Sequence, residues 1–276
     1  MKHILLPTDF SENAMNAITY AMKFFAGMEM HFYVLNVQKT SDFTLSEVMS
    51  GSPTDSIYNG VLQDNKKAIK EVIDYLQKTY KEERYTFKPL LDYDVFCDAV
   101  NQAVVTYNID LIIMGTNGAT NAKEVVFGSN TLQVIRKVDC TVLTVPEAYR
   151  FTPIKSVLLS LNYQSFPMSQ VPLLKEVLSL HKANLKVLDI KESEAAITAK
   201  DTTANLERLQ KMLNYQLFRV KDIPEAMAIK AFEQLMPVEL HTVIVEEQHF
   251  LDRLLFGSGA SKISYESPVP LLIIHC

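Results

Sequence analysis

The feature that most constrains this chain is that it repeats itself. KHILLPTDF (residues 2–10) matches KSVLLSLNY (155–163) at an offset of 153, and the same offset carries VLNV (34–37) onto VLDI (187–190). Further on, YTFKPL (85–90) matches YQLFRV (215–220) at an offset of 130, and FGSN (127–130) matches FGSG (256–259) at 129. Four matches in order, each at a corresponding element, mean one structural plan used twice. The offset falls by 23 between the second and third matches. That is close to the length of the stretch 41–60, SDFTLSEVMSGSPTDSIYNG, which the second copy therefore lacks. The reading is two homologous domains, 1–148 and 149–276, with Pro146 and Pro153 bracketing the junction. A junction this short packs two domains together rather than tethering them loosely. A length of 276 residues suits two domains.

Apolar periodicity sets the elements of the first copy. Ile4–Leu6 is a buried strand stopped by Pro7, and Ser11 caps a helix running to about Ala26, with Glu12 in its first turn. His31–Val37 is a strand, and 41–60 reads as an irregular excursion rich in Ser, Gly, Pro and Asp. Its Phe43, Leu45, Val48 and Met49 suit a lid, a partner surface or a disordered segment. A helix follows over about 61–82, striped by Val61, Leu62, Ile69, Val72, Ile73 and Leu76. Then come strand 86–91, helix 95–107, strand 110–114, a glycine-bearing loop, helix 129–137 and strand 141–145. Alternating strands and helices predict an α/β fold with a parallel sheet covered on both faces.

Composition removes several function classes. A net charge of −5 argues against a general nucleic-acid binder. The apolar run before Pro7 is too short for a signal peptide, and no run approaches a membrane span. Cys97, Cys140 and Cys276 form no CxxC pair, so zinc and redox chemistry are not indicated; reduced thiols in the cytoplasm are the plain reading. The eleven methionines are scattered and read as core filler. No GxxxxGK[ST] and no GxGxxG after the first strand occur, which disfavours a Walker-type NTPase and a dehydrogenase.

Three of the eight glycines fall within fourteen residues, Gly115, Gly118 and Gly128, in the loop GTNGATNAKEVVFGSN. In open α/β sheets ligands bind beyond the carboxyl ends of the strands, at the switch point. Pro7-Thr8-Asp9, the neighbourhood of Val37, and the 115–130 loop converge there. Gly115 and Gly118 allow close backbone approach or positive φ. Gly128-Ser129-Asn130 opens a helix, whose free N–H groups favour an anion such as phosphate. Asp9 is suited either to a ribose or base contact, to a metal-bound water, or to capping the helix.

The form G-x2-G-x9-G-S on Gly115, Gly118, Gly128 and Ser129 resembles the nucleotide-binding motif of the universal stress protein family. ILLPTDFS at the start, MGTNG after the fourth strand and DCTVLTVP as the last strand are similar to that family too. The resemblance spans the chain as a tandem pair and is specific in the first half. It implies two flavodoxin/Rossmann-like domains, each a five-stranded parallel sheet of order 3-2-1-4-5, and ATP as the ligand, alone or with Mg2+. It implies contacts from Pro7, Thr8 and Asp9, and from the backbone of Val37 to adenine. Met114, Gly115, Asn117 and Gly118 would line ribose and phosphates. Gly128, Ser129, Asn130 and Thr131 would hold phosphate oxygens. The chain departs from the pattern at Asn117, where many relatives carry His, and in lacking an Arg after Gly118. Dimers formed through last-strand edges are a further implication: an internal pseudo-dimer of the two domains here, with a homodimer beyond it.

In the second half Asn162 stands in the place of Asp9. Glu246 and Glu247 are aligned with Gly115 and Thr116, which makes the second loop two residues shorter and places two carboxylates against a polyanion. Gly257-Ser258-Gly259 leaves only a weak anion site. The expectation is one competent nucleotide site per chain in a stress-response sensor or regulator. The alternatives are an interaction module without nucleotide and a slow ATPase or self-phosphorylating enzyme, for which no residue presents itself as catalytic base.

Overall fold

A computed structural model describes residues 1–38, 54–93, 95–116, 127–161, 168–191, 199–245 and 267–275; for 54–62, 170, 191 and 199–205 it gives backbone alone. The chain forms two compact units, residues 1–121 with 128–140, and residues 122–127 with 141–276.

The first unit contains β1 (His3–Pro7), α1 (Glu12–Phe24), β2 (Glu29–Val37), α2 (Thr54–Thr79), β3 (Arg84–Asp92), α3 (Phe96–Tyr107), β4 (Leu111–Gly115) and α4 (Ser129–Lys137). Its strands lie in the order β3-β2-β1-β4, all parallel. Ile4, Leu5 and Leu6 are each 0% exposed. Successive strand residues point to opposite faces, so both faces of β1 are covered. Ser11 accepts the Ala14 N–H at 3.3 Å and caps α1 as expected, with Glu12 in the first turn. Phe24, Phe25 and Phe32 gather in an aromatic core that Tyr85 and Phe87 of β3 join.

The second unit contains β5 (Thr141–Val145), β6 (Ser156–Leu161), a short 3-10 turn (Met168–Gln170), α5 (Val171–His181), β7 (Asn184–Lys191), α6 (Ala199–Met212), β8 (Tyr215–Lys221), α7 (Glu225–Leu235), β9 (Leu240–Val245) and β10 (Leu271–His275). Strands β8-β7-β6-β9-β10 are parallel. Counted from β6, that is the expected order 3-2-1-4-5. β5 adds to this sheet as an antiparallel neighbour of β10, with Thr144 opposite Leu271.

The pairing registers show the repeat independently of the letters. β1 pairs with β2 at His3–His31, and β6 with β7 at Ser156–Asn184, the same stagger of 28 residues. The third strands differ from the alignment: Phe32 pairs with Phe87, and Leu185, which the 153 offset places at Phe32, pairs with Tyr215. Tyr215 therefore corresponds to Phe87, two residues from the sequence match. A two-residue shift keeps every side chain on its face, so the apolar pattern cannot detect it.

Two other expectations are corrected. Residues 54–60 are not irregular, because α2 begins at Thr54. Thr54 and Asp55 are residue types that open helices as readily as turns, and one Gly inside a 26-residue helix costs only about 1 kcal/mol. The rest of the excursion, 39–53, lies outside the described residues. Of the methionines read as core filler, Met22, Met30 and Met114 are buried, but Met212 and Met227 are exposed.

His181 closes α5 in a poorly solvated position, and burial lowers its pKa from 6.5 to about 4. The unfolded chain therefore holds more protons than the fold between those values. The resulting stability is complete above about pH 6.5 and is lost as pH falls toward 4. Urea unfolding across pH 4–7 is expected to show this loss, of order 1–3 kcal/mol, in the chain relative to a His181→Gln variant, whose profile is flatter.

Candidate functional site

β1 lies between β2 and β4, so chain reversal from one side of the sheet to the other happens beside it. Pro7 is level with Leu35, and Leu5 with Ile112; two residues further along the parallel strands, Pro7 is level with Met114. The carboxyl ends of β1, β2 and β4 thus form one edge, where ligands of open α/β sheets bind.

The turn leaving β1 is fixed by hydrogen bonds. The Thr8 N–H donates to the Leu35 carbonyl at 2.8 Å, and the Asn36 amide donates to the Thr8 carbonyl at 2.8 Å. The Thr8 hydroxyl accepts from the Phe10 N–H at 3.0 Å, and an Asp9 carboxylate oxygen accepts from the Ser11 N–H at 3.0 Å. Phe10 takes φ +63°, a conformation uncommon in residues other than glycine and stabilised here by the surrounding bonds. Pro7 and Thr8 are buried while Asp9 is exposed. Asp9 therefore holds the turn that starts α1 and still faces solvent.

The other side of the edge is the loop entering α4. The Gly128 N–H donates to the Thr116 carbonyl at 2.7 Å, and the Thr131 hydroxyl donates to the Gly115 carbonyl at 3.0 Å. These two bonds bring the start of α4 back to the end of β4. Gly128 occupies the N-cap position with φ −63° and ψ 156°, and among the described residues no side chain caps the helix. Ser129 and Asn130 are exposed, Thr131 is buried, and the first turn carries no acidic residue. The positive end of the helix is therefore open to an anion. Val37 ends β2 half-buried, level with Asp92.

Among the residues expected at the site, Pro7, Thr8, Asp9, Val37, Met114, Gly115, Gly128, Ser129, Asn130 and Thr131 lie on these elements. Asn117 and Gly118 lie outside the described residues. Positive φ is not what Gly115 supplies, since Gly27 is the one glycine with positive φ among the described residues. The residue the sequence reading passed over is Asn36. Its signal was an amide inside the apolar run VLNV, and it is 2% exposed.

The second repeat has a different end. The 153 offset carries Ile4 to Val157, and these pair with Leu111 and Leu240 respectively. Ile244 therefore stands where Gly115 stands, and Val245 where Thr116 stands. This corrects the alignment of Glu246 and Glu247 with those positions. The offset of 129 continues unchanged to Gly257, so the second loop is not shorter. The alignment failed because a pair of acidic letters in place of glycine gave no information on register, which only strand pairing fixes. Residues 162 and 246–266 lie outside the described residues.

Ser160 replaces Pro7, and its hydroxyl lies 2.8 Å from His241 Nε2. The His241 Nδ1 lies 3.3 Å from a Glu233 carboxylate oxygen. Serine, imidazole and carboxylate in sequence are the parts of an activated nucleophile. Here Ser160 is 3% exposed and the other two side chains 0%, so the chain of bonds is closed to substrate and serves to satisfy buried polar groups. Asp189, at the position of Asn36, is buried and bonds to Arg219 Nε at 3.2 Å.

Fold and edge together define an open, doubly wound α/β protein with its switch point at β1. Residues 1–146 match the universal stress protein family model, and the chain belongs to that family. A universal stress protein of Methanocaldococcus jannaschii is 27% identical over 153 residues, covering 52% of this chain and 94% of the relative. A second from the same organism is 24% identical over 144 residues, covering 52% and 81%. Over the full length, the fold is similar to the crystal structure of a universal stress protein from Archaeoglobus fulgidus, with TM-score 0.72, 18% identity, and 99% and 98% of the two chains covered. Among the described residues no helix is long and apolar enough to cross a membrane.

The Thr131–Gly115 bond joins two parts of the site and is buried on the Thr131 side. Thr131→Val keeps the volume and deletes the donor, and is expected to lower unfolding free energy by about 1–2 kcal/mol, read from urea denaturation.

Proposed function

We propose that this chain binds ATP at a single site in its first repeat and acts as a sensor or regulator in a stress response. The observation that carries the reading is the N-terminus of α4, begun by a glycine that has no side chain to cap it and drawn to the end of β4 by the Gly128–Thr116 bond. Phosphate oxygens would take the N–H groups at Ser129, Asn130 and Thr131, beside Gly128, whose own N–H is held by the Thr116 carbonyl. Asp9, Thr8 and Pro7 face the same edge and would meet the ribose side, with Met114, Gly115, Asn117 and Gly118 along the phosphates. Val37 at the end of β2 would hold adenine through its backbone. Mg2+ would ride with the phosphates rather than on a protein cage.

Confinement to one site is supported by what the second repeat places at its corresponding edge. Ile244 stands for Gly115 and fills space that a glycine leaves, Ser160 is committed to His241, and Asp189 is committed to Arg219. We further propose that the repeats, 1–148 and 149–276, form an internal pseudo-dimer through their last strands, as the antiparallel β5–β10 pairing supports.

Calorimetric titration with ATP, ADP and AMP tests the reading. ATP is expected to bind with a stoichiometry near one, and Gly118→Val and Gly128→Val to reduce affinity at least about tenfold while the fold melts normally. Absence of ATP binding by the unmodified chain would leave an interaction module. ATP turnover lost in Asp9→Ala would instead make the protein an enzyme.

A further inference from the structure

We propose that His3 and His31 form a surface site for a borderline divalent transition-metal ion such as Ni2+ or Zn2+. The two residues are direct partners in the parallel register of β1 and β2, so their side chains leave the same face of the sheet. Their ring centroids are 5.1 Å apart with planes inclined by 35°. Both rings are half-buried. The site is at the amino end of β1. At about 3.3 Å per residue it lies more than about 10 Å from the carboxyl edge assigned to nucleotide.

Each imidazole is held through Nδ1 by a neutral hydroxyl: His3 to Tyr33 at 3.0 Å, His31 to Thr86 at 2.6 Å. Tyr33 follows His31 by two residues on β2, and Thr86 is the register partner of His31 on β3, so the holding groups share the face. With the hydroxyl accepting, the proton sits on Nδ1 and the lone pair on Nε2, the arrangement in which an outer hydrogen bond orients a metal-binding histidine. Neither Nε2 has a protein partner among the described residues.

A metal–nitrogen bond of about 2.0–2.1 Å puts a ring centre about 3.2 Å from the ion, so rings with centroids 5.1 Å apart are close enough to share one ion. Two imidazoles leave the remaining positions to water, so the site is open rather than a closed structural centre. The described residues contain no cluster of three or more His, Cys, Asp or Glu that could hold a metal ion, so they supply this one with two ligands. Neutral nitrogen ligands favour Zn2+, Ni2+ and Cu2+ over Mg2+ and Ca2+, which take oxygen. Lys88, the register partner of Tyr33, brings a like charge to this face. Its ammonium is drawn 4.3 Å over the Tyr107 ring, which itself stacks on Tyr33 at 4.8 Å.

The test is calorimetric titration of the untagged, nucleotide-free chain with NiCl2 at neutral pH. One site per chain is expected. Affinity should fall more than about tenfold in His3→Gln and in His31→Gln, and about tenfold in Tyr33→Phe, which keeps both ligands but loses the orienting hydroxyl. His249→Ala should bind as the unmodified chain does, and excess MgCl2 should not compete. Far-UV circular dichroism checks that each variant is folded. No Ni2+ binding by the unmodified chain, or binding that survives both glutamine variants, overturns the proposal.

Discussion

The first unit depends on β1 being buried on both faces and paired on both edges. Ile4, Leu5 and Leu6 exclude water entirely, and each such side chain contributes roughly 1.5–3 kcal/mol. A strand with neighbours on both sides and helices over both faces has no freedom in register. A one-residue slip would send its apolar set to the wrong face, and here both faces are core. Every residue that follows β1 inherits this fixed position. The turn Thr8-Asp9-Phe10-Ser11 begins where the buried strand ends, and it can hold Phe10 at positive φ because its four hydrogen bonds have fixed anchors.

The same constraint explains why polar groups cluster at one end of an apolar sheet. Where β1, β2 and β4 end, their backbone groups leave the ladder and need other partners. Asn36 supplies one to Thr8, Thr131 supplies one to Gly115, and Thr116 receives Gly128. At this edge the first turn of α4 begins from Gly128, which has no side chain to cap it, whereas α1 is capped by Ser11. A helix start built this way is under-satisfied unless water or an anion meets it. At such a start the helix dipole favours a negatively charged group.

Much of this was legible in the letters. Buried apolar runs at Ile4–Leu6 and Leu111–Met114, the Ser11 cap and the duplication each have a local signature, and strand order followed from the family motif. What the sequence could not carry was register. The pairing of Tyr215 with Leu185 and the placing of Ile244 at Gly115 are decided between strands far apart in sequence, and even-numbered shifts preserve facing. Asn36 escaped for a related reason: an amide in a strand is read as a propensity defect until the carbonyl it serves is seen. The start of α2 escaped because Ser, Asp and Gly are read as turn formers, whereas helix length and packing override such preferences.

The second repeat shows which of these features are about folding and which about the edge. It keeps the strand order and the 28-residue stagger, and Val157, Leu158 and Leu159 are as buried as their counterparts in β1. Its changes fall on polar positions. Asn36 becomes Asp189, whose charge is answered by Arg219; Pro7 becomes Ser160, and Ile112 becomes His241, which answer each other with Glu233 beneath. A buried imidazole or carboxylate left alone would cost several kcal/mol, so these replacements had to arise as mutually satisfied sets. In the first repeat the side chains of Asn36 and Thr131 bond to backbone groups; in the second those of Ser160 and His241, and of Asp189 and Arg219, bond to one another.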